Sequence, residues 1–548
     1  MKKRILFILA IAVGLVLSMA CGGPAKKEEA QPVAAGSSNH DDLVSLFKEW
    51  REFQLPKFHE AVPDYTAPAM EEQRLGLKKM QERLASFDTS RWTVSQKINY
   101  HLMRAEMNGL DFDHRIIRPW SRDPAFYVTT PVQFGPRMEG WVTIPRSWPL
   151  PADRIPEFKQ KLQAVPKILE QAKKNLTEPA ADLAMFAIRA KGREIAIYKE
   201  LASKLAQHHP DLVADAGAAA SACESFRAWL EENISTMNPQ AGIGIEDFNW
   251  NLKNVMLFPY TWDEIRVINE REYERAMAFL KLEENRNRRL PKLEPATTEE
   301  EYRRRYTEAQ KEFVKFIHSE EIMTIPDYFT FGSPGSFSRP GGVRDVFQQT
   351  GDRDPLPMMA HSTIGHGLDA DRLEHDSRPI RGVPRTPNVG RLYFIDGIRA
   401  EALATGLEEM LMHAGILDKR PRSRELNYIN LVVRTVRAAT DLKIHSNELG
   451  LTGALDYLSK KLLPGYYIQE SETLWHDLQL YYRVPGYGMG YVMGKIQLEK
   501  LMADRAAQLG EKFNLRKFMD EFVEAGMIPI ALTRWELTGL DDEIKKLW

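Results

Sequence analysis

The stretch Leu431-Val-Val-Arg-Thr-Val-Arg-Ala-Ala-Thr-Asp-Leu-Lys-Ile-His445 contains the pattern that decides the fold. Its polar residues Arg434, Arg437, Asp441 and His445 follow at steps of three, four and four, and an α-helix places such residues on one stripe. Apolar residues flank this stripe. Four aligned polar groups on an apolar helix must satisfy each other or face a cavity. The stretch therefore predicts a buried helix whose stripe is either a structural ion-pair network or a substrate-binding surface, in which the arginines hold a carboxylate.

Helical spacing of apolar residues continues through most of the chain. It begins near Asp41, and strand-like alternation is scarce, so we predict a mainly α fold with minor β structure. A proline-containing break at 290–295 could separate two helical lobes of one continuous domain that spans 41–548. At 325–357 glycine and proline crowd together, which predicts a long functional loop directly before a group of histidines.

The composition excludes several classes of protein. The chain has 548 residues and is 43% hydrophobic, which is ample for a packed core and excludes wholesale disorder. Lys and Arg total 74 against 76 Asp and Glu, so no positive field exists to attract nucleic acid, and we expect no such partner. The only cysteines, Cys21 and Cys223, are too few for a disulfide framework or a thiolate zinc site. A metal ion must therefore be bound by His, Asp or Glu.

The N-terminus has the features of an export signal. A basic start, Lys2-Lys3-Arg4, precedes a nearly continuous apolar run that ends in small residues directly before Cys21. The run is short for a permanent transmembrane helix, and its end resembles a bacterial lipobox whose Leu17 lies one position further upstream than usual. We predict a signal peptide at 1–20, lipidation of Cys21 and a flexible tether at 21–40. The protein would then be held at the bacterial cell envelope, on the outer membrane or its periplasmic face, by the lipid alone. The alternative is an ordinary secreted protein with an incidental cysteine.

Two histidines lie close together in the segment Ala360-His-Ser-Thr-Ile-Gly-His-Gly-Leu-Asp369. A zinc-peptidase helix places two His four residues apart, with a Glu after the first. Here His361 and His366 are five apart, which rotates them about 140° on a regular helix, and Ser362 stands in place of the Glu. The glycines of the segment could supply a bulge that brings both rings together. The alternative is a pair of capping or buried hydrogen-bonding histidines.

A second segment, Arg399-Ala-Glu-Ala-Leu-Ala-Thr-Gly-Leu-Glu408, predicts a half-buried helix with Glu401 and Glu408 on one face. A carboxylate from such a helix would complete a three-ligand catalytic zinc site. The alternative is a solvated stripe of glutamates.

A third segment, Arg483-Val-Pro-Gly-Tyr-Gly-Met-Gly-Tyr-Val-Met-Gly494, combines closely spaced glycines with two tyrosines. The glycines permit close approach of a ligand or of a neighbouring helix. Tyr487 is a candidate substrate-binding residue and Tyr491 a candidate catalytic one, since a tyrosine hydroxyl can donate to a developing oxyanion. The alternative is a tight helix crossing in which both tyrosines only pack.

Taken in chain order, these blocks resemble the bacterial family called domain of unknown function 885, whose helical and often exported members are related to gluzincin-type zinc metallopeptidases. The family blocks are H-E-x-x-P-G-H-H-x-Q, E-G-W-A-x-Y-x-E, R-x-x-R-x-x-x-D-x-x-x-H and P-G-Q-x-x-x-Y-x-x-G. The tail from Gly510 to Pro529 is also similar, and weaker likeness reaches back to about Asp41. The resemblance implies a large two-lobed metallopeptidase-like architecture.

The resemblance implies that His361, His366 and Glu401 bind zinc. This sequence departs from the family because the Glu of the first block is absent. An alignment with a gap puts Ser362 at that position, whereas an ungapped alignment puts Ala360 at the first ligand and leaves only His366 and Glu401. The general base is then missing from its usual place. Three carboxylates are possible substitutes: Glu408, Asp369 and Asp371.

Two functional hypotheses follow. The first is a zinc-dependent peptidase, a lipoprotein hydrolase of the cell envelope that acts on peptide substrates. The second is a catalytically degenerate relative that binds peptides or a protein partner without turnover. The family resemblance favours the first hypothesis, and the missing glutamate favours the second.

The lipidation of Cys21 gives the first testable prediction. We expect the full-length protein to partition into membrane or detergent fractions, because an acylated cysteine supplies the only anchor. The Cys21→Ala variant should be released in soluble form or stay unprocessed, as measured by fractionation and by the mass of the N-terminal peptide. Equal membrane association of both forms, without lipid mass on residue 21, would contradict the lipoprotein hypothesis.

Overall fold

The computed structural model describes residues 36–130, 142–332, 337, 345–382, 397–461, 466 and 468–548. The predicted signal peptide, Cys21 and most of the predicted tether lie outside the described residues. The first described helix begins at His40, where the helical domain was expected to start. None of the helices in these ranges combines the length and apolarity needed to cross a membrane.

Helices dominate the described residues, and this confirms the mainly α prediction. The minor β structure is a two-stranded antiparallel pair, β1 (Phe58–His59) and β2 (Val62–Pro63). The α-helices, in chain order, are α1 (His40–Phe53), α2 (Ala67–Ala85), α3 (Val94–Phe112), α4 (Pro119–Arg122), α5 (Ile155–Asn175), α6 (Ala181–His208), α7 (Val213–Asn233), α8 (Ile245–Asn254), α9 (Trp262–Arg286), α10 (Glu299–Ser319), α11 (Val346–Arg353), α12 (Leu356–Met359), α13 (Asp369–His375), α14 (Gly397–Ala414), α15 (Ser423–His445), α16 (Leu451–Lys461), α17 (Glu472–Arg483), α18 (Tyr487–Leu509), α19 (Leu515–Glu524), α20 (Ile530–Thr538) and α21 (Ile544–Leu547).

Short helices of other types complete the fold. The 3₁₀ segments are Pro124–Tyr127, Pro210–Leu212, Ile234–Thr236 and Gly510–Lys512, and the π-helical segments are Asp113–Ile117 and Ala360–Leu368.

The segment 325–357 differs from the predicted long loop, because α11 and the start of α12 lie inside it. The Asp345 side chain accepts a hydrogen bond from the backbone of Gln348, and the Gln348 side chain accepts one from the backbone of Asp345. This reciprocal pair is a capping box, which satisfies backbone donors that a helix start leaves free. The sequence signal for α11 was therefore present beside the glycines and prolines.

The large hydrophobic core does not divide at the break between α9 and α10. One cluster of buried side chains extends from Tyr65 to Ile530 and includes residues from both sides of that break. A second cluster joins α1, α2 and α3 to the C-terminal helices α20 and α21, and a third joins α8, α9, α15 and α18. A separation into two lobes is therefore not confirmed.

The glycines of α18 allow a close helix crossing. A Cβ atom on Gly494 would lie 2.7 Å from the carbonyl oxygen of Ile398 and 2.8 Å from Cβ of Ala402, both on α14. Gly490 also faces Ile398. The two helix backbones can therefore approach each other only because these positions lack side chains. The glycines of this segment therefore form a tight helix crossing, and the roles expected of Tyr487 and Tyr491 stay predictions.

This crossing predicts the effect of one added methyl group. Gly494→Ala should lower the free energy of unfolding by about 1–3 kcal/mol, because the methyl group meets backbone that cannot move away easily. Gly217→Ala is the matched control, since Gly217 lies in α7 with no atom near its would-be Cβ. That control should gain up to about 1 kcal/mol from helix propensity. Chemical unfolding of both variants measures the difference, and equal stabilities would show that α14 and α18 can separate without cost.

Candidate metal centre

A π-helix brings His361 and His366 together. The segment Ala360–Leu368 has π-helical hydrogen bonding, in which each turn is wider than in an α-helix and residues five apart become neighbours. The two Nε2 atoms are 3.2 Å apart, and the ring centroids are 4.7 Å apart at an angle of 86°. The rotation of about 140° expected on a regular α-helix is therefore removed by the local geometry.

Gly365 sets the position of this π-helix against α14. A Cβ atom on Gly365 would lie 2.3 Å from the Cα atom of Ala404 and 2.7 Å from its Cβ atom. The contact is possible only because both residues are small. Since Ala404 is three residues from Glu401 on α14, this approach brings the carboxylate to the histidines.

Glu401 completes a group of three metal-ligating side chains. Its Oε2 atom lies 3.5 Å from Nε2 of His366 and 3.9 Å from Nε2 of His361. Ligands around one tetrahedral zinc ion are about 3.4 Å apart when the bonds are about 2.1 Å long. The same Oε2 atom is buried and accepts no hydrogen bond from the described residues. The three side chains therefore fit one metal ion, with the unsatisfied oxygen directed at the shared space.

The group of candidate ligands contains His361, whereas the preceding residue, Ala360, is buried and has no ligand atom. Ser362, the residue after His361, has no carboxylate, and its hydroxyl donates to the carbonyl of Met358 at 2.9 Å.

Glu408 lies behind His361, on the side away from the metal-facing nitrogen. Its Oε1 atom is 3.0 Å from Nδ1 of His361 and accepts a 2.5 Å hydrogen bond from Nη2 of Arg434. Burial and the nearby Arg434 guanidinium lower the pKa of His361 well below its usual value, so the ring is neutral. The same Nδ1 atom lies 3.2 Å from Nη2 of Arg434, which can only donate. In the neutral tautomer that donates through Nδ1 to Glu408, the Nε2 lone pair is free for a metal ion.

The pKa of Glu408 is about 7, because burial raises it more than Arg434 lowers it. The placement of Glu408 suits a residue that orients His361. A general base would instead have to face the substrate side of the metal.

Tyr487 holds the third candidate ligand. Its hydroxyl donates a 2.7 Å hydrogen bond to Oε1 of Glu401, which leaves Oε2 for the metal ion. Burial opposes ionisation of Glu401, but the two imidazoles and the Tyr487 hydroxyl outweigh it and lower the pKa of Glu401 to about 2. The ring of Tyr491 meets that of Tyr487 edge-on, with centroids 5.8 Å apart. Tyr491 is buried, and this burial raises its pKa.

The first half of the polar stripe on α15 lies at this centre. Arg434 is completely buried and bonds Glu408, as described above. The Arg437 guanidinium donates from Nε to the Tyr481 hydroxyl at 2.6 Å, pairs with Asp477, and lies 4.5 Å above the ring centroid of Tyr491. Sequence reasoning did not identify Asp477 and Tyr481, whose only signal was a separation of four residues, about one turn, on α17.

The second half of the stripe binds backbone instead. The Asp441 carboxylate accepts hydrogen bonds from the amides of Gly486 at 3.3 Å and Met489 at 3.2 Å, at the start of α18. Burial raises the pKa of Asp441 to about 7 despite these bonds. His445 donates from Nε2 to the carbonyl of Tyr481 at 3.0 Å, and burial lowers its pKa to about 4. Asp441 and His445 therefore connect helices, and the substrate-binding role expected of them stays a prediction.

The carboxylates considered as replacement bases are engaged elsewhere or lie further along the chain. Asp369 forms a buried ion pair with Arg399, whose Nη1 atom is 2.7 Å from Oδ2. The Arg399 guanidinium also lies 4.1 Å from the ring centroid of Phe522. Asp371 is half-buried two residues beyond Asp369, and burial raises its pKa. Asp369 could therefore act as a base only if it lost its ion pair with Arg399.

The centre opens to solvent at His366. The side chain of His366 is 33% exposed, compared with 13% for His361 and 7% for Glu401. Structural zinc sites have four protein ligands, whereas catalytic sites have three and keep one position open. A three-residue group with one open side has the second arrangement.

The sequence match to a known family covers the C-terminal part of this centre. Residues 404–537 match the family described as bacterial protein of unknown function (DUF885). The matched segment contains Glu408, the α15 stripe and both tyrosines, but it begins after Glu401 and includes none of the three candidate ligands. No curated protein matches the chain significantly.

Two solved structures share the fold over nearly the whole chain. A candidate lipoprotein of unknown function from Shewanella oneidensis aligns with a TM-score of 0.66 at 14% identity, covering 90% of this chain and 97% of that one. A candidate lipoprotein from Colwellia psychrerythraea aligns with a TM-score of 0.65 at 14% identity, covering 92% and 99%. At this identity the likeness shows the fold alone.

The buried contact between Arg434 and Glu408 gives a prediction about stability. Arg434→Met should lower the free energy of unfolding by about 3–5 kcal/mol, because it leaves a buried carboxylate without its cation. Adding Glu408→Gln to that variant should recover part of the loss. Arg303→Met is the control, since Arg303 and Glu299 form an exposed pair worth less than about 1 kcal/mol. Urea unfolding measures all three, and a similar loss for Arg434→Met and Arg303→Met would contradict the assignment.

Proposed function

We propose that the protein is a zinc-dependent hydrolase that cleaves peptides at the bacterial cell envelope. The observation that carries this proposal is the convergence of two imidazoles and one carboxylate on a single space with an open side at His366. A bound zinc ion supplies Lewis-acid polarisation of a substrate carbonyl oxygen. His361, His366 and Glu401 would hold the ion.

The surrounding side chains have separate tasks in this proposal. Glu408 accepts from Nδ1 of His361 and orients its ring, and Arg434 holds Glu408 in place. Tyr487 orients Glu401. Tyr491, which stays protonated because burial raises its pKa, is the candidate hydrogen-bond donor to the developing oxyanion.

The relationship to gluzincin-type metallopeptidases is part of the proposal. It is supported by the order of the four sequence blocks and by the match of residues 404–537 to the family of unknown function. A lipid anchor at Cys21 is also proposed, and the two structurally similar candidate lipoproteins support it. Peptides are then the expected ligands, and the lipid is the expected link to the membrane.

One observation favours a second function, peptide binding without turnover. Ser362 has no carboxylate, and its hydroxyl is bonded to the helix backbone. Asp369 is held by Arg399, and Glu408 lies behind His361. In this alternative the protein keeps the candidate metal ligands but lacks the base that deprotonates water.

Metal content tests the proposed centre directly. The purified protein should contain about one zinc ion per chain, and Ala at any one of His361, His366 or Glu401 should remove most of it, because a three-ligand shell tolerates no deletion. His413→Ala is the control, since His413 is an exposed histidine on α14 that contacts Glu409. Elemental analysis measures the zinc. A folded wild type without metal, indistinguishable from His361→Ala, would refute the zinc assignment.

Activity separates hydrolysis from binding. A peptide library is digested by the wild type, by Ser362→Glu and by Ser362→Gln, each with and without a chelator. Hydrolysis by the wild type that the chelator abolishes supports the proposed function. Hydrolysis by Ser362→Glu alone would show that the wild type is a degenerate enzyme with an intact metal site. The glutamine variant controls for side-chain size, because it lacks the negative charge of a base.

A further inference from the structure

A cavity lies between α6 and α17, and its lining includes none of the three candidate ligands. Its volume is about 370 Å³. It has an aromatic side and a charged side. Its lining includes Phe186, Arg189, Arg193, Glu472, Trp475 and His476.

On the charged side of the cavity, two arginines share one carboxylate. Arg189 pairs with Oε1 of Glu472, and Arg193 donates from Nη1 to Oε2 of the same residue at 2.9 Å. The Nε atom of Arg189 is buried without a hydrogen-bond partner among the described residues. Among the described residues that line the cavity, Glu472 is the one acidic side chain, so the lining has one more positive charge than negative. The nearby Asp345 carboxylate is bonded to the Thr473 hydroxyl. The cavity therefore favours an anionic ligand.

Glu472 indicates which anion fits. One carboxylate spans both guanidinium groups, with one oxygen on each. Its side chain is 66% exposed, so little packing holds it there. A ligand carboxylate could take the same position when Glu472 turns into solvent, because guanidinium groups bind any carboxylate in the same planar geometry.

The aromatic side indicates that the carboxylate belongs to an organic chain. The Arg189 guanidinium lies 4.8 Å from the ring centroid of Trp475, and Phe186 meets Trp475 edge-on at 6.1 Å. Apolar surface beside a charged pair suits a carboxylate with carbon atoms attached, since those atoms gain from leaving water.

A series of contacts joins this cavity to the metal centre. Asp477, the residue after His476 on α17, pairs with Arg437. The Arg437 guanidinium lies over the ring of Tyr491, and Tyr491 packs against Tyr487. Tyr487 in turn donates to the candidate ligand Glu401. A short series of side-chain contacts therefore leads from α17, which lines the cavity, to the candidate ligand Glu401.

We propose that this cavity is a binding subsite for a carboxylate of a peptide ligand, which bridges Arg189 and Arg193 in place of Glu472. The ligand class rests on the proposed function, because that function supplies the peptide. The carboxylate comes either from the C-terminus of the peptide or from an acidic side chain. The subsite itself does not require a metal ion.

Calorimetric titration with four unlabelled hexapeptides tests the proposal. The first peptide has an uncharged apolar sequence and a free C-terminus, and the second is the same sequence with a C-terminal amide. The third is this amide with one internal Glu, and the fourth is the amide with Gln at that position. We expect the plain amide and the Gln amide to bind at least about ten-fold more weakly than one or both of the carboxylate peptides. Preference for the free C-terminus identifies the α-carboxylate, and preference for the Glu peptide identifies the acidic side chain. Equal binding of all four, or binding of none, would overturn the proposal.

Variants locate the effect in the cavity. Arg189→Lys and Arg193→Lys should each weaken the carboxylate peptides about five-fold, because a lysine keeps the charge and loses the planar fork. Glu472→Gln should strengthen them, since it removes the competing carboxylate. Arg303→Lys, on an exposed pair with Glu299, should change nothing. Weakening by Glu472→Gln, or equal effects of all arginine variants, would contradict the subsite.

The same titration with His361→Ala distinguishes this proposal from the proposed function. Preference for the carboxylate peptides should persist in that variant, because the cavity does not contain a metal ligand. Zinc-dependent hydrolysis without any carboxylate preference would refute the subsite alone. Carboxylate preference in a wild type that contains no zinc would refute the metal centre alone.

Discussion

Arg434 is completely buried on α15, and Glu408 on α14 is its anionic partner. A buried charge is costly unless an opposite charge lies beside it, so this pair strongly restricts how α14 can sit against α15. The same carboxylate oxygen faces Nδ1 of His361 on the π-helix. One contact therefore fixes three helical segments relative to each other and turns the opposite nitrogen of His361 toward Glu401. The candidate metal centre depends on that constraint, since its ligands come from two of those segments and Tyr487 comes from a fourth helix that packs on α14.

Much of the fold could be predicted from the sequence, because helical periodicity is a local property of the chain. The buried helix α15 and its polar stripe follow from spacing alone, whereas the grouping of His361 with Glu401 was implied by the family resemblance. The different contacts that the four stripe residues make could not be predicted. Arg434 and Arg437 face the centre, whereas Asp441 bonds the amides at the start of α18. The spacing is the same for all of them, and only the neighbouring helices distinguish their roles.

Two other differences between expectation and structure have local causes. Helix α11 starts at a capping box within a segment rich in glycine and proline. The composition of the segment predicted a loop, although the capping box is a sequence signal for the start of a helix. The convergence of His361 and His366 needed a change of helix type, which the glycines of the segment allowed but which the separation of five residues did not establish. Asp477 was missed because its importance lies in its pairing with Arg437, which is distant in sequence. Contacts between distant segments are therefore the part of the site that a single sequence does not contain.

The π-helical segment Ala360–Leu368 also has a consequence for chain length. A π-helical turn holds about one more residue than an α-helical turn, so deletion of one residue there would allow the segment to return to α-helical geometry. Each residue of an α-helix contributes about 100° of rotation. An insertion or deletion that is not absorbed by such a change of helix type would therefore rotate all that follows, including Asp369 and its contact with Arg399. Substitutions in this segment alter single side chains, whereas insertions and deletions alter the phase of the helix. The number of residues in this segment is thus more tightly constrained than their identity, because that number sets the relative positions of the side chains at the centre.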